Sequence, residues 1–156
     1  MTSLPKVSSR TVADIMTPRV ETLSPGDTVK DAANMMIDSH VSTIPVVDGY
    51  HQCVGMLSRT DLTEIFLKED DALAHALDTD RLSMEWLNRS LDTSDSRTVG
   101  ELMNDQVVAI GGDQSLHAAC QKMVDSQIHH LPVVDNENHL VGIISTFDIV
   151  KAVADT

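Results

Sequence analysis

The sequence predicts an α+β fold made of two copies of one β-α-β-β-α unit. Three observations carry that expectation. Ile44-Pro45-Val46-Val47-Asp48 recurs as Leu131-Pro132-Val133-Val134-Asp135, an offset of 87 residues. At that offset Thr11 to Phe66 falls on Thr98 to Val153 without a gap. Apolar residues keep helical spacing ahead of each proline strand, in Val29, Ala32, Ala33, Met36 and Ile37 and in Leu116, Ala119, Cys120, Met123 and Val124. The domain plan is a tail at 1–10, a first repeat at 11–66, an acidic connector at 67–97 and a second repeat at 98–156.

Each repeat starts with a capping pattern, Thr11-Val-Ala-Asp14 and Thr98-Val-Gly-Glu101, and each predicts a one-turn helix. Met16-Thr-Pro18 ends the first of these, Val20–Leu23 reads as a short strand and Ser24-Pro-Gly-Asp27 as a turn. Thr28 is placed to cap the striped helix. Asp48-Gly49 signals a hairpin joining Ile44–Val47 to Cys53–Leu57. Gly55 and Gly142 interrupt the last strand of each repeat, where a backbone or ligand is expected to approach closely. Ser58-Arg-Thr-Asp61 and Ser145-Thr-Phe-Asp148 then open the closing helices.

The connector carries eight carboxylates against four basic side chains, with helical spacing at Leu73, Ala76 and Leu77. A connection this long is either packed as an accessory helix or functional. Trp86, the single tryptophan, either pins it to the body or meets a partner.

Composition excludes several classes. A formal charge of −13 leaves too few clustered cations for nucleic acid or an anionic membrane surface. The first residues lack an apolar signal core, and the apolar runs are only strand length. Cys53 and Cys120 occupy unrelated repeat positions, which reads as two buried thiols in a reducing compartment, so the protein is expected in the cytoplasm. There is no Walker-type glycine loop, and no histidine repeats alongside Ser58 and Ser145 to act as a base, so catalysis is not expected. His129 and His130 are adjacent on a strand and point to opposite faces, which speaks against a shared metal.

Two chemical readings of Ser-x-x-Asp stay open. The aspartate can reach back to its serine as a helix cap, or it can accept both hydroxyls of a vicinal diol. Arg59 follows Ser58 where the second copy has Thr146, so the two sites are unequal; Arg59 is either a phosphate partner or an exposed helix residue. His129 and Lys151 are further candidates for a phosphate.

The twice-occurring set of apolar-Pro-Val-Val-Asp strand and Gly-x-x-Ser-x-x-Asp junction resembles a pair of CBS (cystathionine-β-synthase) domains, the tandem known as a Bateman module. The resemblance covers 11–66 and 98–153 and leaves out the connector. It implies pseudo-twofold packing of the repeats and clefts that take an adenosine-containing ligand: AMP, ADP, ATP or S-adenosylmethionine. Asp61 and Asp148 would hold the ribose, with Ser58 and Ser145 at the helix starts. The adenine would lie on the backbone of Thr43-Ile44-Pro45 and of His130-Leu131-Pro132, approached by Thr22 and Ala109. The resemblance also implies that the proline strand of one repeat works with the aspartate of the other, Thr43–Pro45 with Asp148 and His130–Pro132 with Asp61. With few cations in an acidic chain, a ligand of low anionic charge such as AMP is favoured as regulatory ligand. A homodimer and a protein effector complete the expectation. The alternative is a scaffold module with vestigial clefts.

Overall fold

The computed structural model describes residues 9–69 and 96–156, with side chains left out of account at 65–69. Expectations for Trp86 and for the connector between Asp70 and Asp95 lie outside the described residues. In chain order the elements are α1 (Val12–Ile15), β1 (Thr17–Pro18), α2 (Val29–Asp38), β2 (Thr43–Val47), β3 (Cys53–Ser58) and α3 (Arg59–Glu69). The second repeat gives α4 (Val99–Leu102), β4 (Ile110–Gly111), α5 (Leu116–Ser126), β5 (His130–Val134), β6 (Leu140–Ser145) and α6 (Thr146–Ala154).

The chain divides into two compact units, and their boundaries do not follow the repeats. The first unit gathers Met1–Val20, Tyr50–Cys53 and Gln106–Thr156; the second gathers Glu21–Gly49 and Val54–Asp105. The opening helix of each repeat therefore belongs to the body of the other.

In the first unit a four-stranded sheet runs β1-β6-β5-β4. β5 and β6 are antiparallel, with His130 opposite Ser145 and Pro132 opposite Ile143. β4 lies parallel to β5, and β1 lies antiparallel to β6. Val12 of α1 is fully buried in this core, beside Leu116, Ala119, Leu131, Val133 and Ile144. Backbone bonds from Val12 N–H to the Gln114 carbonyl (2.8 Å) and from Ala13 N–H to the Gly112 carbonyl (2.8 Å) fix it there. A methyl group on Gly142 would sit 2.8 Å from the Thr17 carbonyl and 2.7 Å from the Met16 sulfur. The close approach expected at this glycine is made by the chain's own β1 segment.

The second unit repeats the plan. β2 and β3 are hydrogen-bonded neighbours. Leu23 bridges in parallel to Val46, and Met56 bridges to Asn104. Val20–Leu23 is thus not a strand of its own; the chain is extended but pairs at one residue, through Leu23 N–H to the Pro45 carbonyl (3.0 Å) and Val47 N–H to the Leu23 carbonyl (2.8 Å). Val99 of α4 is buried here with Leu23, Ile44, Val46, Leu57 and Leu62. Met103 and the Asn104 carbonyl crowd Gly55, where a methyl group would lie 2.9 Å from Met103 Cγ.

The helix stripes follow the expected spacing at their centres and depart from it at the edges: Cys120, expected as a buried thiol like Cys53, is only half-buried. Val29, Ala32, Ala33 and Met36 are buried in α2, and Leu116, Ala119 and Met123 in α5. Val124 was expected inside and is 71% exposed. Eight residues beyond Leu116, it lies about 80° around the helix from that residue, on the side away from Ala119, and Met123 fills the inner position. Ile37 occupies the matching edge of α2 and is half-buried.

Candidate functional site

Each closing helix starts on a reciprocal serine–aspartate cap. At α3, Ser58 N–H donates to Asp61 Oδ2 (2.7 Å), Ser58 Oγ–H donates to the same oxygen (2.9 Å), and Asp61 N–H donates to Ser58 Oγ (3.1 Å). At α6 the same three bonds join Ser145 and Asp148 at 2.8, 2.9 and 3.1 Å. The helix-capping reading is therefore realised in both copies. It does not exhaust the carboxylate. Oδ1 of Asp61 and Oδ1 of Asp148 accept no hydrogen bond from the described residues, and both side chains are half-buried, not sealed. An acceptor-only oxygen at the rim of a sheet is suited to a hydroxyl pair.

The helix starts offer less to a phosphate than free N–H groups would. Arg59 N–H donates to the Ser42 carbonyl (2.8 Å), and Thr146 N–H donates to the His129 carbonyl (2.9 Å). With the Asp61 and Asp148 amides held by their serines, the amides of Thr60 and Phe147 remain from each opening triplet. Arg59 is exposed, and so are His129 and Lys151.

Each unit brings together the predicted residues of one repeat. In the second unit Thr43 is half-buried at the start of β2, Ile44 and Pro45 are buried behind it, and Thr22 precedes the Leu23 bridge beside Pro45. Ser58, Arg59 and Asp61 stand at the end of the adjoining strand β3. In the first unit Ala109 immediately precedes β4, Leu131 and Pro132 are buried in β5, and His130 lies across the ladder from Ser145. The Lys122 ammonium donates to the Ala109 carbonyl (2.7 Å), a cation at the site edge that sequence reasoning missed because its repeat partner is Met35. A cavity of about 290 Å³ in the first unit, lined by Arg19, Val20, His51, Leu140 and Val141, contains none of these residues.

His130 was singled out for its backbone, yet its side chain has its own setting. Burial holds the imidazole below its ordinary proton affinity, and the neighbouring His129 adds to that; the Asp148 carboxylate pulls the other way. The ring makes no hydrogen bond with the described residues. Among those residues no cluster of His, Cys, Asp or Glu could hold a metal ion, and no helix is long and apolar enough to cross a membrane.

Comparison with known proteins places the fold. The chain is 27% identical over 149 residues to the chloroplastic CBS domain-containing protein CBSX2 of Arabidopsis thaliana, matching 91% of this chain and 63% of that one. It therefore spans just under two thirds of that relative. The CBS domain-containing protein YhcV of Bacillus subtilis is 32% identical over 139 residues, covering 88% of this chain and 81% of YhcV. A crystal structure of CBSX2 in complex with AMP superposes with a TM-score of 0.72 at 24% identity, over 94% of this chain and 97% of the other. The CBS domain pair of protein MJ0100, in complex with 5′-methylthioadenosine and S-adenosyl-L-methionine, gives a TM-score of 0.70 at 23% identity, over 93% and 96%. The CBS domain family model matches residues 12–68 and 99–155, the two repeats found here as separate copies of one plan, so this chain belongs to the CBS domain family as a tandem pair.

Proposed function

We propose that the chain is a non-catalytic regulatory module that binds an adenosine-containing ligand, with AMP favoured, and passes its presence to a protein partner in the cytoplasm. One observation carries the reading. Both Ser–Asp caps, beside a proline strand and in the same geometry, leave a carboxylate oxygen that accepts nothing from the described residues. A purely structural cap needs only the oxygen that Ser58 or Ser145 already uses. Ribose hydroxyls would take the other, and backbone groups flanking Pro45 and Pro132 would meet the adenine edge. Thr22 with Thr43–Pro45 in one unit, and Ala109 with His130–Pro132 in the other, would lie against the base.

The ligands named for CBSX2 and MJ0100 support this chemistry, since AMP, 5′-methylthioadenosine and S-adenosyl-L-methionine share an adenosine core. AMP is favoured over ADP, ATP and S-adenosylmethionine because the nearby cations are few and the chain carries −13. Ligand binding can shift a partner's response only by its differential affinity for two arrangements of the protein. A homodimer is part of the proposal. Phe147, Val150 and Val153 on α6 are 72%, 62% and 51% exposed, an apolar stripe that a second copy could cover.

The test is titration calorimetry with AMP, ATP and S-adenosylmethionine on nucleotide-free protein. AMP is expected to bind, and Asp61→Ala with Asp148→Ala is expected to abolish uptake while the protein stays folded. Silence for all three ligands would instead favour a scaffold whose carboxylates serve only as caps.

A further inference from the structure

The two carboxylates sit in unlike company. In the second unit β2, the hydrogen-bonded neighbour of β3, begins with Thr43, which does not titrate; in the first unit β5 begins with His130, across the ladder from Ser145. Paired residues across an antiparallel ladder lie about 5 Å apart, so His130 stands next to the residue that holds the Asp148 carboxylate. The imidazole is half-buried and has no hydrogen-bond partner among the described residues. Asp148 Oδ1 is likewise without one. A half-buried ring and a carboxylate oxygen on adjoining elements, neither hydrogen-bonded among the described residues, lie close enough to attract one another and can pair once the ring is protonated.

Resting on the adenosine reading above, we propose that protonated His130 competes with the ligand's sugar for the open oxygen of Asp148, so that this one site loosens its grip as the medium acidifies. The groups around the ring fix the sign. From the residue before its strand His129 repels a proton, from α6 Asp148 attracts one, and burial is the largest effect and disfavours the charged ring. β6 presents uncharged Ser145, α6 carries the exposed Lys151 one turn beyond Asp148, and the Lys122 ammonium of α5 is bound to the Ala109 carbonyl. At neutral pH the ring is therefore uncharged and Asp148 is open to a diol. Below the ordinary imidazole range the ring gains a proton, gains a partner in Asp148, and the diol must displace it. By linkage, ligand binding at this site expels the proton. The Asp61 cap faces a threonine and lacks the device.

The experiment uses AMP calorimetry between pH 7.5 and 5.5 on Asp61→Ala protein, with and without His130→Gln. The phosphate of AMP titrates in the same window, and the ratio between the two proteins cancels it. That ratio is expected to move against the histidine-bearing protein by up to about tenfold per pH unit, the limit for one competing proton. A His129→Gln control should keep the direction of the dependence. In ligand-free protein, NMR titration of the His130 ring should shift to lower pH in Asp148→Asn, because the attracting charge is gone. A ratio flat with pH, or a His130 titration that ignores Asp148→Asn, overturns the proposal while leaving the adenosine reading intact. Failure of AMP to bind at any pH overturns both.

Discussion

The two units are built on one plan from two sequences, and they differ most where the plan meets solvent. Their interiors correspond: Ile44 with Leu131, Val46 with Val133 and Val12 with Val99 are all buried. Their caps match to within 0.1 Å. Their rims do not. Arg59 corresponds to Thr146, Thr43 to His130 and Met35 to Lys122, while the outer face of α6 is apolar where α3 offers Thr60 and Thr63. The difference teaches that the two copies agree where the fold requires it and diverge at the rim, where the fold does not. Core substitutions leave cavities and cost several kcal/mol, whereas rim substitutions are nearly free to the fold.

Three measurements break or sharpen that comparison. The largest effect belongs to the exchanged valines. Val12→Ala and Val99→Ala should each cost about 2 kcal/mol, since each empties a closed site. Hydrogen exchange then tells repeat from unit: Val12→Ala should loosen β5 and β6, not β2 and β3, and Val99→Ala the reverse. Loosening within the mutated residue's own repeat would contradict the division described here. Next come the caps. Asp61→Ala and Asp148→Ala, taken singly, should each lower stability by about 1 kcal/mol and by the same amount, as matched geometry demands. Unequal losses in denaturant melts would show that one carboxylate does something in the free protein that its twin does not. The smallest effect on stability is expected on α6, where Phe147→Ser with Val150→Ser should change the melting free energy by less than about 0.5 kcal/mol at concentrations dilute enough to hold the chain as a monomer, because both side chains are exposed on the single chain. The same pair should lower the mass seen by light scattering from dimer to monomer, and the matching change Thr60→Ala with Thr63→Ala on α3 should leave it unaltered.

Much of this was legible in the amino-acid order. Repeat register fixed which residues correspond, and the 3.6-residue stripes located α2 and α5 because burial of one helix face leaves a periodic trace. The Ser-x-x-Asp motifs marked both caps, since the chemistry is local and spans four residues. Three things were hidden. Correspondence between Val12 and Val99 says that they are alike, not whose core each fills, because that depends on contacts about 100 residues apart for Val12 and Leu116. Val20–Leu23 looked like a strand from its apolar alternation, but strand pairing depends on the register of a distant partner, and only Leu23 finds one. Helical position 124 looked internal because its apolar type fits the stripe, while the width of the buried face is set by neighbours the pattern does not name.

The exchange of opening helices has a consequence for anyone recombining such chains. A hybrid joined in the connector, say before Thr98, would seat each α1 or α4 against a body from a stranger, with Val12 and Val99 pressed into pockets shaped by another lineage. Crossovers placed at the ends of the spatial units, after Val20 and after Asp105, would keep each helix with its host. The natural seams of this protein are therefore offset from its repeats by about ten residues, and shuffled descendants that survive should carry their joins there.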